Sequence, residues 1–166
     1  MKKTFEDTIE DNAIIMAELM FKMEKACRLK EELFCSKTGI SPMELRCLRE
    51  LLENRFPSIR ELSAKMDLTP SRVTHIINGL EKKKLIERKI DEDDRRVIKV
   101  TLSDNGKTFA QKIMKDYIRF HLEIINLIEK NELNQMLSCL QRFLNSVTYF
   151  INNNKCLNNK NSSVGD

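Results

Sequence analysis

Little in this chain breaks a helix. Four glycines and three prolines in 166 residues leave few places for the turns of a β-sandwich and favour long helices. Long apolar runs are also missing. The longest unbroken stretch is Ala13–Ala17, far short of the ~20 residues needed to span a bilayer, so no membrane partner is expected. The five cysteines at 27, 35, 47, 139 and 156 are odd in number, widely spaced and form no C-x-x-C pair, which argues against a zinc ribbon or thioredoxin-like centre. His75 and His121 are the whole imidazole supply, too little for a histidine-rich metal site. The glycines at 39, 79, 106 and 165 are too sparse for a phosphate-binding loop or dinucleotide fingerprint. No acid, base and nucleophile cluster as an active site would need, so neither an enzyme, a metal nor a cofactor is expected. The start, Met1-Lys2-Lys3-Thr4-Phe5-Glu6-Asp7, puts acids where a signal peptide needs apolar residues, and a cytoplasmic protein is expected.

What the chain does contain is apolar residues at 41%, enough for a core, and charged residues at 33%, enough for solubility. The net charge of +4 is unevenly spread: Arg55–Lys107 carries 13 basic and 9 acidic residues, and elsewhere the two signs cancel. A locally basic middle third is the footprint of a polyanionic partner, although a solvated charged face gives the same count.

Periodicity organises the rest. Residues 8 to 34 read as one helix with two apolar stripes, Ile9/Ala13/Met16/Met20/Met23/Cys27 and Ile15/Leu19/Ala26/Leu29/Leu33. Such a helix has two things to pack against, its own core and a partner chain. Ser41-Pro42-Met43-Glu44 is a capping box opening a helix that buries Leu45, Leu48 and Leu52, and Ser58-Ile59-Arg60-Glu61 is a second box opening a short helix with Leu62 and Met66 inward. Thr69-Pro70 starts the next helix. Its Val73, Ile76, Ile77 and Leu80 face the core, so Pro70, Ser71, Arg72, Thr74, His75 and Asn78 face out. Two short helices around a tight turn at Asp67-Leu68 make a helix-turn-helix. Leu85–Ile90 and Val97–Leu102 then alternate as two strands about the charged tip Asp91–Arg96, a β-hairpin wing. Ser103-Asp104-Asn105-Gly106 caps a long helix with Phe109, Ile113, Tyr117, Ile124 and Ile128 inward, and Asn131 opens a last one with Leu133, Leu137, Leu140, Leu144, Val147 and Ile151. The Asn/Lys/Ser-rich stretch past Asn152 is expected to be disordered.

Three stretches carry a family resemblance: Leu68–His75, Leu80–Arg88, and Asp94-Arg95-Arg96 followed by Leu102-Ser103-Asp104-Asn105-Gly106. With these the chain resembles the MarR (multiple antibiotic resistance) regulators. The resemblance implies a mainly α fold with a small β-hairpin wing. The winged helix-turn-helix (41–106) is flanked by dimerisation helices (1–40 and 107–152), with a tail at 153–166. It also implies a homodimer on a pseudo-palindromic operator of double-stranded DNA, acting as a repressor relieved by a small apolar or aromatic effector. The helix from Pro70 would enter the major groove with Asn78 on its DNA-facing stripe; there Arg72 and His75 can donate to base acceptors, Ser71 and Thr74 can bind phosphate or base, and the helix N-terminus favours phosphate. Arg95, Arg96 and Lys99 are the wing's DNA-facing residues; Arg96 suits a narrow minor groove, with Asp94 orienting its guanidinium. Met16, Met20 and Met23 are either packing or the wall of an effector pocket. Cys35 and Cys47, at helix edges, are the candidates for a redox-switched alternative, and a winged-helix protein-interaction module is the other. Two positions depart from the family pattern. Lys84 stands where a glycine usually ends the recognition helix, and a left-handed cap is costlier without it. Gly79 lies inside that helix at a cost of about 1 kcal/mol relative to alanine, for close packing, for a bend, or as one contact fewer.

Overall fold

The computed structural model describes residues 5–53, 57–91, 94–95 and 97–161, with side chains described from Thr8 to Asn154 within those limits. Among these residues the elements are α1 (Phe5–Ser36), α2 (Pro42–Glu53), α3 (Ile59–Met66), α4 (Pro70–Lys82), β1 (Ile86–Ile90), β2 (Ile98–Leu102), α5 (Asp104–Ile125) and α6 (Lys130–Asn161). The expected winged helix-turn-helix between long helices is present. The chain divides into two compact units after Ile118.

Local chemistry sets most boundaries in the first unit. At α2, the Ser41 N–H donates to Glu44 Oε2 at 2.7 Å and the Glu44 N–H donates to Ser41 Oγ at 3.2 Å. Ser58 and Glu61 repeat this reciprocal box at α3, and the Ser58 backbone and hydroxyl donors hold the Glu61 carboxyl below its usual range. Leu48, Leu62, Val73, Ile77, Leu80 and Val100 are fully buried where α2, α3, α4 and β2 meet. Truncating one such leucine to alanine costs about 2–5 kcal/mol. Leu51, not the expected Leu52, completes the buried face of α2; Leu52 is half-buried. A stripe read at steps of three and four from Leu45 accepts either neighbour, and the packing of the fold selects Leu51.

The hairpin pairs antiparallel from Ile86 opposite Leu102 to Ile90 opposite Ile98. A third segment joins it: Val100 N–H donates to the Pro57 carbonyl at 3.0 Å, and Ser58 bridges to Lys99. The wing is therefore tied to the start of α3 as well as to the end of α4. Phe34 meets Tyr117 edge-on at 5.0 Å, and Lys30 Nζ lies 5.7 Å from the same ring, which packs the end of α1 on α5.

The flanking helices differ from expectation in three places. α5 ends at Ile125, so Ile128 lies in the following turn, and Ile124 is exposed; Gly106, Ala110 and Ile113 are the buried positions of α5. The turn is closed by Leu127 and Ile128 N–H groups bonding three residues back to Ile124 and Ile125, which tightens the helix to its end. α6 runs to Asn161, past Asn152, where order was expected to stop; no glycine or proline from Lys130 to Asn161 interrupts its backbone bonds. Along α1, Ile9, Ile15, Met16, Leu19, Met20, Met23, Leu29 and Leu33 are exposed, and in the second unit so are Leu137, Leu140, Leu144 and Val147 on α6. Among the described residues no helix is long and apolar enough to cross a membrane.

Candidate nucleic-acid interface

The turn from α3 to α4 presents the outward face of α4. Asp67 takes a left-handed conformation (φ 52°) as the C-cap of α3, and the Leu68 N–H closes back on the Ser63 carbonyl at 3.0 Å. Thr69 then caps α4: its side chain accepts from the Arg72 N–H at 3.4 Å, and its hydroxyl lies 3.1 Å from Ser71 Oγ. With Val73, Ile76, Ile77 and Leu80 buried, Pro70, Ser71, Arg72, His75 and Asn78 are exposed as expected. Thr74 is the exception. It is half-buried and its hydroxyl donates to the Pro70 carbonyl at 2.8 Å, the usual back-bond of a helical threonine, which spends its donor within the helix.

Beside this face lies an open cleft of about 560 Å³ between Ser41, Met43 and Glu44 at the start of α2 and Ser71, Arg72, His75, Ile76 and Gly79 of α4. Its floor explains the glycine at 79. A Cβ built there would sit 2.8 Å from Glu44 Oε1. Close packing is thus the answer among the three roles open for Gly79. Glu44 is buried and accepts from Lys83 Nζ at 2.7 Å, while the same ammonium donates to the Gly39 carbonyl at 2.8 Å. Burial on its own raises the Glu44 pKa, but the donors from Lys83 and Ser41 outweigh it and the carboxyl titrates below its ordinary value. Lys83 is thereby a structural tether between α2 and α4.

The end of α4 keeps the family's left-handed cap without its glycine. Lys84 has φ 57°; its N–H bonds the Glu81 carbonyl at 2.8 Å and the Leu85 N–H bonds Leu80 at 3.0 Å, which is a Schellman motif. Leu80 and Leu85, its apolar pair, are both buried. The Ser103–Gly106 turn seats on this cap: Ser103 Oγ donates to the Lys84 carbonyl at 2.8 Å and accepts from the Gly106 N–H at 2.9 Å. A Cβ on Gly106 would fall 1.7 Å from the Leu85 carbonyl oxygen.

On the wing, Arg95 is exposed at the tip, and Arg96 lies outside the described residues. Asp94 is exposed and its N–H donates to Asp91 Oδ1 at 3.0 Å. Lys99 is ion-paired with Asp91, so its charge is partly matched before any partner arrives. The Arg88 guanidinium of β1 donates to Asn78 Oδ1 and pairs with Glu81 Oε2 at 3.1 Å, which turns this cation onto α4. No periodicity or motif signalled this contact or the Glu44–Lys83 tether, because each partner has its own local role in the sequence.

The two redox candidates lie in the interior. Cys35 and Cys47 are buried, and desolvation first, then the Glu31, Glu44 and Glu50 charges around them, raises both thiols, Cys47 to about 12. Reactivity needs the opposite, a stabilised and accessible thiolate. Cys47 became core because α2 packs against α1, α3, α4 and β2. Met16, Met20 and Met23 stand exposed along α1.

Comparison with known proteins agrees with this geometry. Residues 40–98 match the model of the MarR family. The HTH-type transcriptional repressor MdtR of Bacillus subtilis is 33% identical over 78 residues, covering 47% of this chain and 50% of MdtR; the chain thus matches half of that relative's length. The uncharacterized HTH-type transcriptional regulator YsmB of the same organism is 34% identical over 101 residues, covering 56% of this chain and 69% of YsmB. In three dimensions, MepR in the S. aureus MepR–DNA complex superposes with a TM-score of 0.63 at 19% identity, over 78% of this chain and 96% of that one, a likeness of fold.

Proposed function

Because this chain belongs to the MarR family, we propose that it is a homodimeric, sequence-specific DNA-binding transcription regulator, a repressor that a small apolar or aromatic effector releases from its operator. The observation that carries this reading is the exposed stripe Pro70, Ser71, Arg72, His75 and Asn78 at the N-terminal part of α4, backed by a wholly apolar buried face. An α-helix fits the major groove, and a rigidly backed helix can hold hydrogen-bonding side chains in register with base edges. Arg72 and His75 donate to base acceptors, while Ser71 and the first free N–H groups of α4 meet phosphate. Arg95 and Arg96 reach the adjacent minor groove from the wing, and Lys99 joins them by exchanging Asp91 for phosphate.

Dimerisation accounts for what the isolated chain leaves uncovered. The exposed apolar residues of α1, and separately those of α6, form contiguous stripes rather than scattered positions, and such stripes on a soluble protein mark interfaces. A two-fold dimer reads half-sites about 34–36 Å apart, so an effector that alters the spacing of the two α4 helices lowers affinity, provided it binds the two states unequally. Met16, Met20 and Met23 suit the wall of such an effector site because methionine repacks readily. MdtR's designation as a repressor supports the sign of regulation.

The test is affinity selection of genomic DNA fragments on the purified, reduced protein, with sequencing of those retained. A short inverted repeat with one-turn spacing is the expected product. Retention without any enriched sequence, or no salt-sensitive duplex binding, would overturn the reading in favour of a protein-docking winged helix.

A further inference from the structure

We infer that Ile90 and Ile98 form an apolar seat on the wing for the deoxyribose units of the DNA strand that passes between the major and minor grooves. The inference rests on the DNA-binding reading above and deepens it. Ile86, Arg88 and Ile90 of β1 share one face of the hairpin with Leu102, Val100 and Ile98 of β2, because alternate side chains point the same way and directly paired ones stand together. Nearest the helices this face is core: Ile86, Val100 and Leu102 are buried. Further out it runs past the domain. Ile90 and Ile98, each other's cross-strand partner, are 67% and 39% exposed. A solvated strand face tolerates polar β-branched threonine as well as isoleucine, so the strand itself does not require an apolar pair here.

The surroundings of the pair identify what covers it. On one side Arg88, on the same face, bonds Asn78 and Glu81, so the apolar pair adjoins the exposed stripe of α4. On the other side Ile98 and Val97 line an open cleft of about 280 Å³ with Ser58, Ile59 and the exposed Arg60 at the start of α3. Arg95 stands exposed at the tip. The pair therefore lies between the helix assigned to the major groove and the tip assigned to the minor groove, with Arg60 and Arg95 on its flanks. The part of a duplex that separates two adjacent grooves is a backbone strand, in which apolar deoxyribose alternates with anionic phosphate. Two isoleucines flanked by guanidinium groups match both components, whereas a purely apolar partner would match the isoleucines alone. Sugar and phosphate contacts fix register without reading sequence. The seat thus sets how far the wing enters the minor groove, not which bases are chosen.

The experiment is hydroxyl-radical footprinting with anisotropy titrations at several salt concentrations, on the full-length protein and the duplex enriched by the genomic selection. Hydroxyl radicals abstract deoxyribose hydrogens, so protection reports the sugars that the protein covers. The wild type is expected to protect a short run of sugars between the base pairs whose preference His75→Ala alters and the adjacent minor groove. Ile90→Thr and Ile98→Thr keep a β-branched residue. Each is expected to expose those sugars to cleavage and to weaken binding about three- to tenfold. The slope of log K against log salt is expected to stay the same, because no phosphate contact is lost. Arg60→Gln is expected to do the reverse, lowering the slope by about 0.9 while the sugars stay protected. Should Ile98→Thr destabilise the fold, seen as a lower urea midpoint, the more exposed Ile90 decides the matter. A wild-type footprint retained by both threonine variants, or a loss of affinity that comes with a shallower salt slope, would overturn the seat. So would loss of self-association in sedimentation with the footprint intact, which would assign this face to a second copy. Absence of any enriched duplex with the wild type would instead overturn the DNA-binding reading beneath it.

Discussion

Glu44 and Lys83, thirty-nine positions apart in the chain, meet at 2.7 Å across the floor of the cleft between α2 and α4. Gly79 leaves the space in which they do so. The carboxylate at once closes the capping box of α2 and holds the end of α4. One residue therefore couples the start of one helix to the position of another.

That coupling predicts a double-mutant cycle. Alanine in place of an interior helical glycine normally gains about 1 kcal/mol. Here Gly79→Ala pushes against Glu44 and loosens a charge-assisted bond of about 1.5–3 kcal/mol, so it is expected to be neutral or destabilising alone. In a Glu44→Ala background the obstacle is gone, and the same change is expected to stabilise by about 1 kcal/mol. Urea denaturation of the four proteins measures the cycle, and simple additivity would refute the packing role.

The same carboxylate gives a pH dependence of definite sign. Its pKa is lower folded than the ordinary 4.5, so its contribution is complete above that value and is lost as pH falls through the lowered one. Glu61, also lowered by its capping partners, acts in the same direction. Thermal melting between about pH 6 and pH 3 is expected to show a steeper loss for the wild type than for Glu44→Gln.

Lys84 holds a glycine's conformation at φ 57°. A left-handed side-chain-bearing residue costs roughly 1–2 kcal/mol, part of which glycine returns as unfolded-chain entropy. Lys84→Gly is expected to gain about 0.5–1 kcal/mol and raise Tm by about 1–4 °C. A lower Tm would show that the lysine side chain contributes something the cap does not account for.

Gly106→Ala tests the opposite kind of glycine. Here the obstacle, 1.7 Å away, is the backbone carbonyl of Leu85, which cannot swing aside as a carboxylate does. A loss of about 2–3 kcal/mol or more is expected, visible as a lower urea midpoint at unchanged slope. Because α5 and the wing share this joint, DNA affinity is expected to fall as well.

Cysteine accessibility separates core from surface. Cys35 and Cys47 are buried with raised thiol pKa values, while Cys27 and Cys139 are exposed in the single chain. Native alkylation followed by peptide mass mapping is expected to leave Cys35 and Cys47 unmodified until denaturant is added. Rapid native labelling of either would restore the redox-switch alternative.

For the wing, Arg96→Ala is expected to weaken duplex binding and to reduce the slope of log K against log salt by about 1. His75→Ala is expected to alter preference among operator variants more than it lowers non-specific affinity. An unchanged salt slope in the first case, or a uniform loss in the second, would remove those roles.

Features that depend on neighbours three or four residues apart could be read from the chain alone. The capping boxes at Ser41/Glu44 and Ser58/Glu61, the Thr69-Pro70 start, the buried stripe from Val73 to Leu80 and the alternation of the wing were all legible, because backbone caps and helical or strand periodicity are local. Lys84 was also legible as an anomaly, though that the cap survives it was not. Packing in three dimensions settled the rest: that Leu51 rather than Leu52 is core, that Cys35 and Cys47 are sealed, that Pro57 and Ser58 join the wing, that Lys83 meets Glu44 and Arg88 meets Asn78 and Glu81. A buried charge must find an opposite one, but nothing in composition says which. The candidates were many, and only packing α2, α4 and β1 around one core brought particular partners within hydrogen-bonding reach.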